Sequence, residues 1–77
     1  MNKPRRQAIS EIAEKIRELH DQVESLLNEE QEYYDNMPES FQSGEKGDRA
    51  QEAIDNLESA MSSLEEAADS LDSATEA

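Results

Sequence analysis

The chain has 77 residues, no cysteine, and 20 acidic against 7 basic side chains, for a net charge of −13 at pH 7. That length admits one small domain with a marginal core unless its helices pack closely or the chain associates, and the lack of cysteine excludes disulfides and thiolate metal sites. A surface this acidic repels nucleic acid and attracts basic proteins, most strongly at low salt, so no direct nucleic-acid binding is expected.

The charge is unevenly placed. Residues 1–17 hold five basic side chains (Lys3, Arg5, Arg6, Lys15, Arg17) and two acids (Glu11, Glu14), a local charge of +3, whereas the remainder carries −16. No apolar run approaches a membrane span, and Met1–Arg6 leads into an amphipathic segment, not a continuous apolar signal region. The expected setting is the cytoplasm, with no membrane partner.

Met1–Pro4 reads as a frayed arm, and a first helix is predicted from Pro4 to Asp35, since proline is accepted in a first turn. Its apolar residues Ile9, Ile12, Ile16, Leu19, Val23 and Leu26 recur at alternating spacings of three and four, a heptad seam. With Ile9, Ile16, Val23, Glu30 and Met37 at position a, position d is Ile12, Leu19, Leu26 and Tyr33. Position e is Ala13, His20, Leu27 and Tyr34, which widens the stripe to the face of a bundle member. Glu29, Glu30, Glu32 and Asp35 crowd the C-terminal end, where the helix dipole disfavours negative charge.

Residues 36–42 form a corner, because Pro38 disfavours helix at Met37 and has no N–H to donate. Met37 and Phe41 are expected to cap the end of the core, and Asn36 with Glu39 fits the cap of a short helical turn. Two helix starts follow: Ser43 with Glu45 in the first turn, or Asp48 with Gln51 completing a capping box. The earlier start is preferred, although a helical Gly47 costs about 1 kcal/mol relative to alanine.

The second helix, predicted from Ser43 to Thr75, repeats every seven residues. Ala50, Leu57, Leu64 and Leu71 take position a, and Ala53, Ala60, Ala67 and Ala74 make position d entirely alanine. Ile54, Met61, Ala68 and Thr75 take e, and the g column is small and uncharged at Asn56, Ser63 and Ser70. The outer positions b, c and f carry carboxylates, with Glu58, Glu65, Glu66, Asp69 and Asp72 as the candidate partner-binding face.

No Gly-rich phosphate loop, nucleophile elbow, H-E-x-x-H or EF-hand loop occurs, so no catalytic residue, cofactor or metal site is expected. His20, the only histidine, reads as a helix residue flanking the seam. Carboxylates three residues apart, such as Asp69 and Asp72, suit diffuse counter-ions better than a shaped calcium or magnesium site. Tyr33 and Tyr34 read as core-edge packing. Lys3, Arg5 and Arg6 stand at the first turn of the first helix, where N–H groups favour anions. They are an alternative anion-binding cluster, or a basic head that pairs with acidic faces of the same fold.

The stretch Glu32-Tyr-Tyr-Asp-Asn-Met-Pro-Glu-Ser-Phe-Gln, followed by Ser-Gly-Glu-Lys-Gly and the Ala/Leu heptads, resembles small acidic helical proteins encoded by bacteriophages. The resemblance covers roughly residues 22–74. It implies the host bacterial cytoplasm during infection, where such proteins act on host factors or antiviral defences. It carries no functional residue with it.

The expected fold is all-α: an antiparallel two-helix hairpin with the alanine d column against the Ile/Leu/Val seam of the first helix. The e columns (Leu27, Tyr34, Ile54, Met61) are expected to stay partly exposed and to drive dimerisation into a four-helix bundle. The expected function is a non-enzymatic acidic interaction protein, a nucleic-acid mimic or anti-defence protein occupying a basic surface. The alternatives are an oligomeric ligand-sequestering module using Lys3, Arg5 and Arg6, or a structural assembly protein.

Overall fold

The structure, a computed structural model, describes every residue from Met1 to Ala77. It is all-helical, with α1 (Lys3–Asp35), the single turn α2 (Glu39–Gln42) and α3 (Glu45–Glu76). The two long helices pack along one another within an envelope of 58 × 15 × 12 Å. No helix is long and apolar enough to cross a membrane.

α1 begins earlier than a frayed arm would allow. The Asn2 side chain accepts a hydrogen bond from the Arg5 backbone N–H at 2.8 Å, and Pro4 sits in the first turn, where its missing N–H leaves nothing unpaired. At the other end no basic side chain lies in the last turn, so the dipole is not opposed by charge. The Gln42 side-chain amide donates instead to the carbonyls of Tyr34 and Asp35, at 3.0 and 3.5 Å. Both belong to the last turn, whose carbonyls lack intrahelical partners; the Tyr34 carbonyl also accepts from the Met37 backbone N–H at 3.1 Å.

The corner turns without any residue at positive φ. Pro38 (φ −56°, ψ 146°) and Gly44 (φ −104°, ψ −167°) are extended and flank the single turn of α2. The cap expected from Asn36 and Glu39 does not form: Asn36 closes α1, and Pro38 precedes α2 with no side-chain bond. Ser43 likewise fails to cap α3, because its hydroxyl donates back to the Glu39 carbonyl. Gly44 holds the N-cap position, so α3 starts at Glu45, near the earlier of the two predicted starts. Met37 is half-buried, but Phe41 is 48% exposed, with the Lys46 ammonium 5.3 Å from its ring centroid.

Gly47 is buried, and a Cβ built on it would fall 1.9 Å from the Gln42 carbonyl oxygen and 2.7 Å from the Gln42 Cα. The contact is with backbone, which cannot swing aside as a side-chain tip can. Glycine, unfavourable in most helices, is required here: only glycine lets the corner fold back this closely onto the first turn of α3.

The helices do not meet through the predicted seam. On α3 the fully buried residues are Gly47, Ala50, Ile54 and Ala68, with Leu57, Met61, Leu64 and Leu71 half-buried, which is the a and e columns; of the d column only the two ends, Ala53 and Ala74, are half-buried. Ala60 and Ala67, the middle of the alanine d column, are exposed. α1 does the same: Ala13 is fully buried and Ile9, Ile16, His20, Val23, Leu27 and Tyr34 are half-buried, while d faces outward. The e columns, expected to remain open, are inside. On α3 the reason is area, since e offers Ile54 and Met61 where d offers only alanine, and hydrophobic gain scales with apolar area removed from water. The cost falls on α1, whose Ile12, Leu19, Leu26 and Tyr33 stay 49%, 50%, 55% and 53% exposed.

Ile54 is the one large side chain buried to 2% exposure, so Ile54→Ala should cost about 2–5 kcal/mol in a denaturant titration. Gly47→Ala should also destabilise, by about 1–3 kcal/mol, because the added methyl must displace backbone. An alanine variant as stable as the wild type would show that the corner has slack.

Candidate interaction surfaces

The carboxylate side is built by α3. Positions b and f follow e around the helix, so Glu58, Glu65, Asp69 and Asp72 emerge on one flank of the paired helices and Glu66, at c, points further out. Glu58, Glu65, Glu66 and Asp69 are exposed, whereas Asp72 is half-buried.

One cation enters this flank from the other helix. The Arg17 guanidinium donates to Asp72 and, at 3.4 Å, to Asp69. The last turns of α3 therefore lie beside the middle of α1. The hydrogen bond to Asp72 raises the Arg17 pKa above its ordinary value; partial desolvation opposes this, and the charges of Asp72 and Asp69 add to it. Two of the five candidate carboxylates are thus committed to holding the helices in register. Glu58, Glu65 and Glu66 have no cation within ion-pair distance.

Arg17, His20, Asp21, Leu64, Glu65 and Asp69 line a shallow depression on the same flank. His20 is mostly covered there, with its Nδ1 3.3 Å from Asp21 Oδ1. The other carboxylate pairing is local, Arg49 to Glu45 at 2.6 Å one turn away, with both side chains mostly exposed. No three acidic or histidine side chains converge on a common point. Of the adjacent tyrosines, Tyr34 is half-buried at the seam and Tyr33 projects outward.

The basic head makes no ion pair within the fold. Lys3, Arg5 and Arg6 are exposed, and none pairs with a carboxylate, so they do not neutralise the acidic end of α3. The backbone half of an anion site is also largely used up. Pro4 has no N–H, the Arg5 N–H is taken by the Asn2 side chain, and the Arg6 N–H bonds the Asn2 carbonyl. Three side-chain cations remain, without the convergent N–H groups that make a helix start an anion cradle.

Sequence reasoning missed Gln42 and the Arg17 pairing. The first carries no signal, since one glutamine in a polar corner resembles any other. The second becomes visible only with the register, which sets a lone b-position arginine beside b and f carboxylates 52 and 55 residues away.

Because the pair is exposed to solvent, its contribution is screened by salt. Arg17→Gln should lower Tm by a few degrees in low-salt buffer and by much less near 1 M salt, where the Debye length is about 3 Å. An equal loss at both salt concentrations would mean that Arg17 acts by packing its stem. No family model matches this chain, and neither does any curated protein or solved structure.

Proposed function

We propose that this chain is a non-enzymatic acidic interaction protein: a self-associating antiparallel helical hairpin whose carboxylate flank occupies a basic surface of another protein. The observation that carries this reading is the unpaired state of Glu58, Glu65 and Glu66 on a chain of net charge −13. Carboxylates with no internal partner keep their full field for a cationic surface, and such fields steer association and fix partner choice.

The b-column acids repeat every seven residues, about 10.5 Å at a rise of about 1.5 Å, and the c and f acids lie between them. Duplex DNA places phosphates about 3.4 Å apart along each strand, so the likeness is one of sign and density, not of register. A basic nucleic-acid-binding surface is the partner class that this flank suits. On the resemblance to small acidic phage proteins, that surface would belong to a host or antiviral factor in the bacterial cytoplasm. The basic head supports the competing ligand-sequestering reading less well, because its Arg5 and Arg6 N–H groups are already bonded and Pro4 has none.

The test is affinity capture from bacterial lysate, with duplex DNA as competitor. DNA should release the captured protein, and capture should weaken steeply with salt. Glu58→Gln alone should change capture little. Glu58→Gln, Glu65→Gln and Glu66→Gln together should abolish it while circular dichroism stays helical, since these three take no part in the Arg17 contact. Retention by the triple variant, or loss with only Arg5→Ala and Arg6→Ala, would transfer the function to the basic head.

A further inference from the structure

Two antiparallel helices that meet through like columns are related by a local two-fold axis running across the seam. Such an axis carries the d column of one helix onto the same side as the d column of the other. Arg17 confirms the handedness from the opposite flank, where its b position meets b and f of α3. The exposed Ile12, Leu19, Leu26 and Tyr33 therefore lie beside the alanine column of α3, on the side away from the acidic flank. The Arg17–Asp69 register sets Leu19 level with Ala67 and Leu26 level with Ala60. The result is one face with a tall apolar ridge and, parallel to it, a shallow apolar trough. Its α3 rim at Asn56, Ser63 and Ser70 carries no charge.

The chain exposes more surface than a compact monomer, and this face is of the size that a second copy would need to cover. The chain exposes 5622 Å² at a mass of 8.7 kDa. A compact monomer of that mass exposes about 4,700 Å². The excess of roughly 900 Å² is close to the ~800 Å² that each partner buries in a standard stable interface. The 58 by 15 Å outline of the paired helices provides a face of the same size.

We infer that this face is the contact surface for a second copy of the chain, with the bulky column of each protomer seated over the alanine column of its partner. The occupant is identified by self-complementarity. Turning a second copy over about an axis parallel to the helices places its ridge above the first copy's trough, and its trough above the first copy's ridge. The level pairs then need no shift along the axis. The turn also keeps both acidic flanks outermost, at the greatest separation available to two chains of −13 each. The inference rests on the self-association in the reading above, and adds which surface is used and how it packs.

Sedimentation equilibrium of the full chain at about 150 mM salt, where the Debye length is about 8 Å, should give twice the monomer mass. A monomer at every concentration up to the millimolar range overturns both the self-association and this surface. Leu19→Glu with Leu26→Glu should give a helical monomer, and Ala67→Leu, which raises the trough floor, should weaken the dimer at least tenfold. A dimer that survives either change overturns the surface while leaving self-association intact.

Cysteine pairs resolve the arrangement. Gln22→Cys with Ser63→Cys places the two thiols on opposite edges of one chain but opposite each other across the proposed dimer. Oxidation should cross-link the double variant and neither single variant. Cross-linking by Gln22→Cys alone indicates the end-over-end arrangement, with ridge on ridge, and overturns the packing proposed.

Discussion

The contact between the Gln42 backbone and Gly47 decides how this chain is put together. With the Gln42 carbonyl where a Cβ on residue 47 would sit, the corner lies closer to the first turn of α3 than any side chain at that position would allow. Further along α3 the column that joins a towards α1 is e, which offers Ile54 and Met61 where d offers only alanine. The Gln42 side chain meanwhile closes the end of α1 through the Tyr34 carbonyl, so one residue fixes both sides of the corner. Geometry here rests on close backbone approach and not on a left-handed turn, since no residue has positive φ.

Burying a with e leaves a thin core. The buried set is small: Ala13, Gly47, Ala50, Ile54 and Ala68, with a single large side chain among them. Alanine at three of these points lets two long helices approach closely along the seam at the cost of little apolar area removed from water, while Gly47 admits the corner. The chain must also hold together against its own charge, and only Arg17 spans the two long helices as an ion pair. A thin core and a strong self-repulsion leave little margin, and a second layer of apolar contact is what such an assembly lacks.

Burying a with e also sorts the surface into two unlike sides. Carboxylates at b and f gather on the flank where Arg17 crosses, and the d columns gather on the other. Side chains that attract cationic surfaces and side chains that avoid water are thereby separated by the thickness of one helix layer. The two sides share no residue, since Glu58, Glu65 and Glu66 lie on one and the d columns on the other.

The sequence by itself determined the helical class, the two long heptad segments, the corner at Pro38 and the acidic character of the outer positions. These depend on local periodicity, on proline stereochemistry and on charge, all of which act within a few residues along the chain. It did not determine which two of three apolar columns would meet, because a/d and a/e stripes are both legitimate helix faces and differ by a rotation of the helix about its axis. Nor did it reveal that Gly47 is required, that Gln42 caps α1, or that Asp69 and Asp72 are held by Arg17. Only the tertiary structure decided these, since each depends on the distance and register between segments far apart in sequence, which local pattern does not encode.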